Sequence, residues 1–167
     1  MPVINGYNAA SFSLRRLVIT VEDANDLVKV HFDLPESDMG MSGESLWAAP
    51  VGPNLYELRN SPWHVRTVNW LGVVEAIPRN EDEWPEFARV HKRSGHRTIH
   101  IFILEAGKSR KQEVLDNCNR LGSTYENMDD RVYALDFAPG VDVNRSIAYL
   151  ENLQAQGIVD WRINEYE

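Results

Sequence analysis

The sequence predicts an α+β protein. An N-terminal antiparallel β-barrel-like unit spans residues 1–95, and a ferredoxin-like βαββαβ unit spans residues 96–167. The two are expected to pack closely as one compact domain. Three observations predict this. Up to residue 104 the chain reads as short period-two runs broken by Gly, Pro and Asn, with no convincing helix. After Leu104 the spacing of apolar residues turns helical twice. Counted from Arg97, the order is strand, helix, strand, strand, helix, strand. In that split pattern two helices cover one face of a four-stranded antiparallel sheet.

The elements follow in order. Residues 1–13 are polar and aperiodic, an arm or edge strand, and Leu17–Val21 reads as a strand. Leu27–Leu34 alternates strictly: Val28, Val30, Phe32 and Leu34 share one face, and Lys29, His31 and Asp33 share the other. Pro35 ends it, because proline cannot donate to a ladder, and residues 35–43 form a loop. Glu44-Ser45-Leu46-Trp47-Ala48 begins a strand that turns at Gly52-Pro53-Asn54 and returns over Leu55–Asn60. Trp47, flanked by small residues, is expected to fill a gap in the core. Asn60-Ser61-Pro62-Trp63 is a corner, Val73–Ile77 a strand, and Pro78–Pro85 an acidic loop. Phe87–Lys92 is expected to pair with Arg97–Leu104 across Arg93-Ser94-Gly95.

In the second half, Ser109-Arg110-Lys111-Gln112 has the form of a capping box. Val114, Leu115, Cys118 and Leu121 recur at helical spacing up to Gly122. Ser123–Met128 and Arg131–Phe137 read as strands around Asp129-Asp130. Asp142 is placed to cap a second helix whose stripe is Val143, Ile147, Leu150 and Leu153. Gly157 ends that helix, and Val159–Tyr166 closes the chain with a strand. Ile99, Ile101 and Ile103 would face the helices or a second layer, and His96, Thr98, His100 and Phe102 the opposite, open face.

Composition narrows the function classes. The net charge is −8, and it is shared evenly: residues 1–95 hold 9 basic and 13 acidic side chains, and residues 96–167 hold 8 and 12. No basic lobe exists for a phosphate backbone, so nucleic-acid binding is not expected. No apolar run approaches ~18 residues, so no membrane span is expected. Cys118 is the only cysteine, and the first residues lack the pattern of a secretion signal. Both fit a reducing cytoplasm.

Candidate site residues were weighed against structural roles. His96 and His100 share a strand face at roughly 13 Å separation, too far to bind one metal without a kink. His91 lies across the Ser94-Gly95 turn. Neither a metal nor a cofactor is assigned. Glu44 reads as an acid beside an aromatic, or as an acceptor for a neighbouring loop. Cys118 lies in a helical stripe as a small buried hydrophobe. Glu81-Asp82-Glu83-Trp84 joins charge to an aromatic on a loop. It is either a solvated connection or a partner-binding tip. No phosphate loop, Gly-x-Gly-x-x-Gly, Cys-x-x-Cys or nucleophile elbow occurs.

Several passages taken together resemble one bacterial family, domain of unknown function 4265. They are Val28–Phe32, Glu44–Ala48, Tyr56–Trp63, Ser94–Thr98, Leu121-Gly122 and the terminal strand. The resemblance runs from about Leu27 to the C-terminus. The family carries a Gly-Asp-Val-Val type step after its Asn-x-Pro corner. Here the step is Leu71-Gly72-Val73-Val74, without the acid. The resemblance supports the fold and implies no activity.

The function expected from the sequence is that of a non-enzymatic cytoplasmic binding protein. Its most concrete form is an immunity- or antitoxin-like inhibitor of a basic protein partner. The first alternative is a sensor binding a small-molecule ligand in the cleft between the units or on the open sheet face. The second is an enzyme working through Glu44 with His96 or His100.

Overall fold

The computed structural model describes residues 26–35, 40–80 and 83–164. The protein is a mixed α+β structure of nine strands and two α-helices among these residues. The expected strand at residues 17–21 lies outside them.

Five strands close into a barrel: β1 (Val28–Asp33), β2 (Gly43–Gly52), β3 (Leu55–Leu58), β4 (Val73–Ile77) and β5 (Glu86–Lys92). Successive strands pair antiparallel. The closing pair, β1 with β5, is instead parallel and short, at His31 opposite Glu86. Alternation sends Val30, Phe32, Leu46, Ala48, Leu58, Val74 and Ala76 inward, where all are buried. Val65 and Val68, from the long β3–β4 connection, complete this core. Asn54, in the left-handed region at φ 57°, makes the β2–β3 turn.

Two expectations fail here. Trp47 is not core. Leu46 and Ala48 take the inward face of β2, so Trp47 points outward by alternation and is half-buried. The Lys29 ammonium, on the opposing strand, sits 4.9 Å from its ring centroid. Nor does β5 pair with the next strand. The chain turns through Gly95, at φ +80°, and enters a different sheet.

That second sheet is antiparallel, in the order β7-β8-β6-β9. Its elements are β6 (Arg97–Ile103), α1 (Lys111–Arg120), β7 (Ser123–Asn127), β8 (Val132–Phe137), α2 (Val143–Ala155) and β9 (Val159–Ile163). Ile99, Ile101 and Ile103 with Tyr133, Leu135 and Phe137 form the core against Val114, Leu115, Cys118, Leu150 and Leu153 of the helices. Asp142 caps α2, its carboxylate accepting from the Asn144 N–H at 3.1 Å.

The capping box at Ser109 does not form. A 3₁₀ turn over Glu105–Arg110 precedes α1, and no side chain caps the helix start. The turn is held against the sheet: Leu104 N–H donates to the Ile158 carbonyl at 3.0 Å. Gly107 sits so close that a Cβ there would lie 2.2 Å from the same oxygen. Tertiary contact therefore sets where this helix starts. No helix among the described residues is long and apolar enough to cross a membrane.

Candidate functional site

The face of the second sheet away from the helices is ordered in rows by strand pairing. The first row is Asn164, Thr98 and Asp136, the second Arg162, His100, Ala134 and Glu126, and the third Asp160, Phe102 and Val132. The β3–β4 connection, residues 59–72, lies across the first two rows. The face is therefore not open at His96 and His100, which are buried at 7% and 6% exposure.

Glu44 organises this connection from the barrel side. Its carboxylate accepts from three consecutive backbone N–H groups: Trp63 at 2.8 Å, His64 at 2.9 Å and Val65 at 2.9 Å. Such charge-assisted bonds hold a turn that has no ladder of its own. Asn60 accepts from the Trp47 N–H at 2.7 Å, fixing the start of the corner.

The sheet grips the other side. Ser61 N–H donates to Glu126 at 3.2 Å, and His100 Nε2 lies 2.7 Å from the Pro62 carbonyl oxygen. Arg162 donates to the Trp63 carbonyl at 2.5 Å, and Asn164 to the Val65 carbonyl at 3.1 Å. Asn69 donates to the His96 carbonyl at 2.9 Å and accepts from the Thr98 hydroxyl at 2.8 Å. His96 Nδ1 meets Asp136 at 2.9 Å, with the Trp70 ring edge-on at 5.0 Å. Leu71, at φ 60°, turns the chain back into β4.

His100 is neutral in this setting. A carbonyl can only accept, so Nε2 carries the proton, and Nδ1 is buried without a hydrogen-bond partner. Burial, the main cause, lowers its pKa from 6.5 to about 4. The Pro62 bond opposes the shift, and the charges of Arg162, His64 and Arg66 add to it. Cys118 is buried, and desolvation pushes its thiol up to about 12, which makes it inert at neutral pH.

Among the described residues the third row stays uncovered, and there a cavity of about 300 Å³ opens. Phe102, Val132 and Met128 line it together with Trp63 and His100, and His64, Asp160 and Arg162 add polar and charged groups. Phe102 is 38% exposed and Met128 41%. Trp63 leans on His100 with ring centroids 5.6 Å apart. The Arg131 guanidinium lies 4.8 Å from the Phe102 ring centroid.

The structure thus brings Glu44 and His100 to the same stretch of chain, from opposite sides. Residues 61–65 lie between them, bonded to Glu44 on one side and to His100 on the other. His96 is buried beside the first row, against Asp136 and Trp70, and His91 is exposed on β5. No three His, Cys, Asp or Glu side chains among the described residues are grouped to hold a metal. Glu81 and Asp82 lie outside the described residues. Glu83 and Trp84 are exposed, and Lys29 Nζ sits 4.7 Å from the Trp84 ring centroid.

The profile of the family described as domain of unknown function (DUF4265) matches residues 44–161. The chain belongs to this family. The DUF4265 match begins at Glu44, the residue that holds the connection, and ends at Trp161, beside Arg162. A solved structure described as a novel crystal structure of a hypothetical protein from Neisseria gonorrhoeae is similar in fold. Its TM-score is 0.65 at 16% identity, over 82% of this chain and 92% of that one. The comparison with curated proteins gave no match. In this DUF4265 chain, sequence reasoning missed Trp63, Asn69, Asp136 and Arg162. Asn60-Ser61-Pro62-Trp63 was legible as a corner, but nothing in the residue pattern showed the sheet face it would lie on.

Proposed function

We propose that the protein is a non-enzymatic cytoplasmic binding protein that takes a small ligand in the cavity beside Phe102. One observation carries the reading: among the described residues, Phe102, Val132 and Met128 are left uncovered in a cavity that Trp63 also lines. Ligand sites are concave and mainly apolar, with a few polar groups at the edge. An enzyme working through Glu44 and the histidines is disfavoured by their contacts. Glu44 is spent on three N–H groups, and His100 is neutral and bonded to Pro62. The lone buried cysteine fits a cytoplasmic setting. We read the C-terminal part as ferredoxin-like, supported by the strand order and by the helices that follow β6 and β8.

The test is small-molecule mass spectrometry of the protein recovered from its own cells, beside a Phe102→Asp variant of equal stability. A compound carried by the wild type and lost from the variant is expected. Equal recovery from both, or none from either, would overturn the reading.

A second reading, capture of a basic protein partner in the manner of an immunity protein, is favoured by Trp84. It is 53% exposed next to the acidic loop. Trp84→Ala should speed dissociation of a pulled-down partner at any salt concentration, measured by surface-binding kinetics. An unchanged rate would remove this surface.

A further inference from the structure

The cavity beside Phe102 is lined by apolar side chains together with His64, Asp160 and Arg162. Arg66 lies close enough to Arg162 to depress its pKa, the main cause being burial. Both arginines and His64 also disfavour a proton on His100. Neither Arg162 nor Arg66 has a carboxylate within ion-pair distance among the described residues. Two acids lie nearby, and neither forms an ion pair with these arginines among the described residues. Glu44 faces the N–H groups of residues 63–65. Asp160 accepts from Gln154 at 2.7 Å and from the Trp161 N–H at 2.9 Å. In a chain of net charge −8 the two arginines make a local basic edge, offset in part by the charge of Glu44.

We infer that the ligand of this cavity is a small monocarboxylate with an apolar body, its carboxylate held by Arg162 and its body against Phe102, Val132 and Met128. The inference rests on the ligand-binding reading above. Arg162 spends one N–H on the Trp63 carbonyl, which leaves guanidinium donors for a carboxylate. The volume, at the small end of the ~300–1,000 Å³ range of ligand pockets, limits the body to one ring or a short chain.

The probes are 3-phenylpropionate and its neutral amide, 3-phenylpropanamide. Binding is measured by calorimetry, and its location by amide chemical shifts of Phe102, Val132 and Arg162. Both probes should shift those amides, and the acid should bind about tenfold tighter at low salt, the worth of one charge-assisted contact. The gap should narrow with added salt and in both Arg162→Gln and Arg66→Gln. Arg66→Gln removes charge without touching the Trp63 carbonyl bond, so it separates charge from loop position. Equal binding of acid and amide would overturn the carboxylate inference and leave the cavity as a ligand site. A gap unaffected by both variants would also overturn it. If neither probe shifts these amides at millimolar concentration, the cavity reading falls with it.

Discussion

At the scale of single residues, Glu44 and His100 are the two ionisable groups whose roles the structure decides. Glu44 accepts from three consecutive backbone N–H groups in a segment that belongs to no strand ladder among the described residues. Glu44→Ala should cost at least about 2 kcal/mol in urea denaturation, because it leaves several donors in a half-buried site unmatched. Glu44→Gln, which keeps one acceptor oxygen, should cost less. For His100 the sign of the pH effect follows from its lowered pKa of about 4. Unfolded, the group takes a proton below about 6.5; folded, it resists until about 4. Its contribution is present above pH 6.5 and is lost as pH falls through that window, by up to about 3 kcal/mol. Denaturation midpoints at pH 7 and pH 4.5 should therefore differ more for the wild type than for His100→Gln. Equal differences would mean that the imidazole titrates normally.

At the scale of elements, the 3₁₀ turn before α1 shows contact overriding local signal. Ser109 and Gln112 carry the residues of a capping box, yet the helix starts at Lys111 without a side-chain cap. The cause is Gly107, pressed onto the Ile158 carbonyl. Gly107→Ala should lower stability by about 1–3 kcal/mol, the usual cost of overpacking, read from the thermal midpoint. Gly140→Ala is the control for steric effects, because a Cβ there meets nothing within 4 Å, although its φ of +88° adds its own strain. An unchanged midpoint for Gly107→Ala would show that the close approach does not constrain this turn. Trp47 teaches a similar lesson on β2. Its size suggested burial, but strand alternation gives the inward positions to Leu46 and Ala48.

At the scale of the whole molecule, the 59–72 connection joins barrel and sheet. Glu44 holds it from one side; Glu126, His100, Arg162, Asn164 and Thr98 hold it from the other. Val65 and Val68 from the same segment lie in the barrel core. Breaking the sheet contacts should therefore loosen the barrel. Hydrogen exchange should show β1 and β6 amides opening with a common free energy, in one cooperative unit. Asn69→Ala should lower both by the same amount. Separate opening energies would show that the two halves are stable independently.

Much of this was legible in the chain. Period-two spacing placed β1–β4, helical spacing placed α1 and α2, and Asp142 marked the start of α2, because these signals depend on near neighbours. The isoleucines of β6 were assigned to the helix face by alternation alone. What tertiary structure decided depends on partners distant in sequence: the parallel closure of β1 on β5, the separation of β5 from β6, and the outward turn of Trp47. The candidate site belongs to the same class. Its polar bonds link residues 61–69 to residues up to 99 positions away. Local spacing carries no record of such pairs. The sequence determined which residues would sit on the face opposite the helices. Only folding determined that a connection would cover His96 and His100 and leave Phe102 beside a cavity.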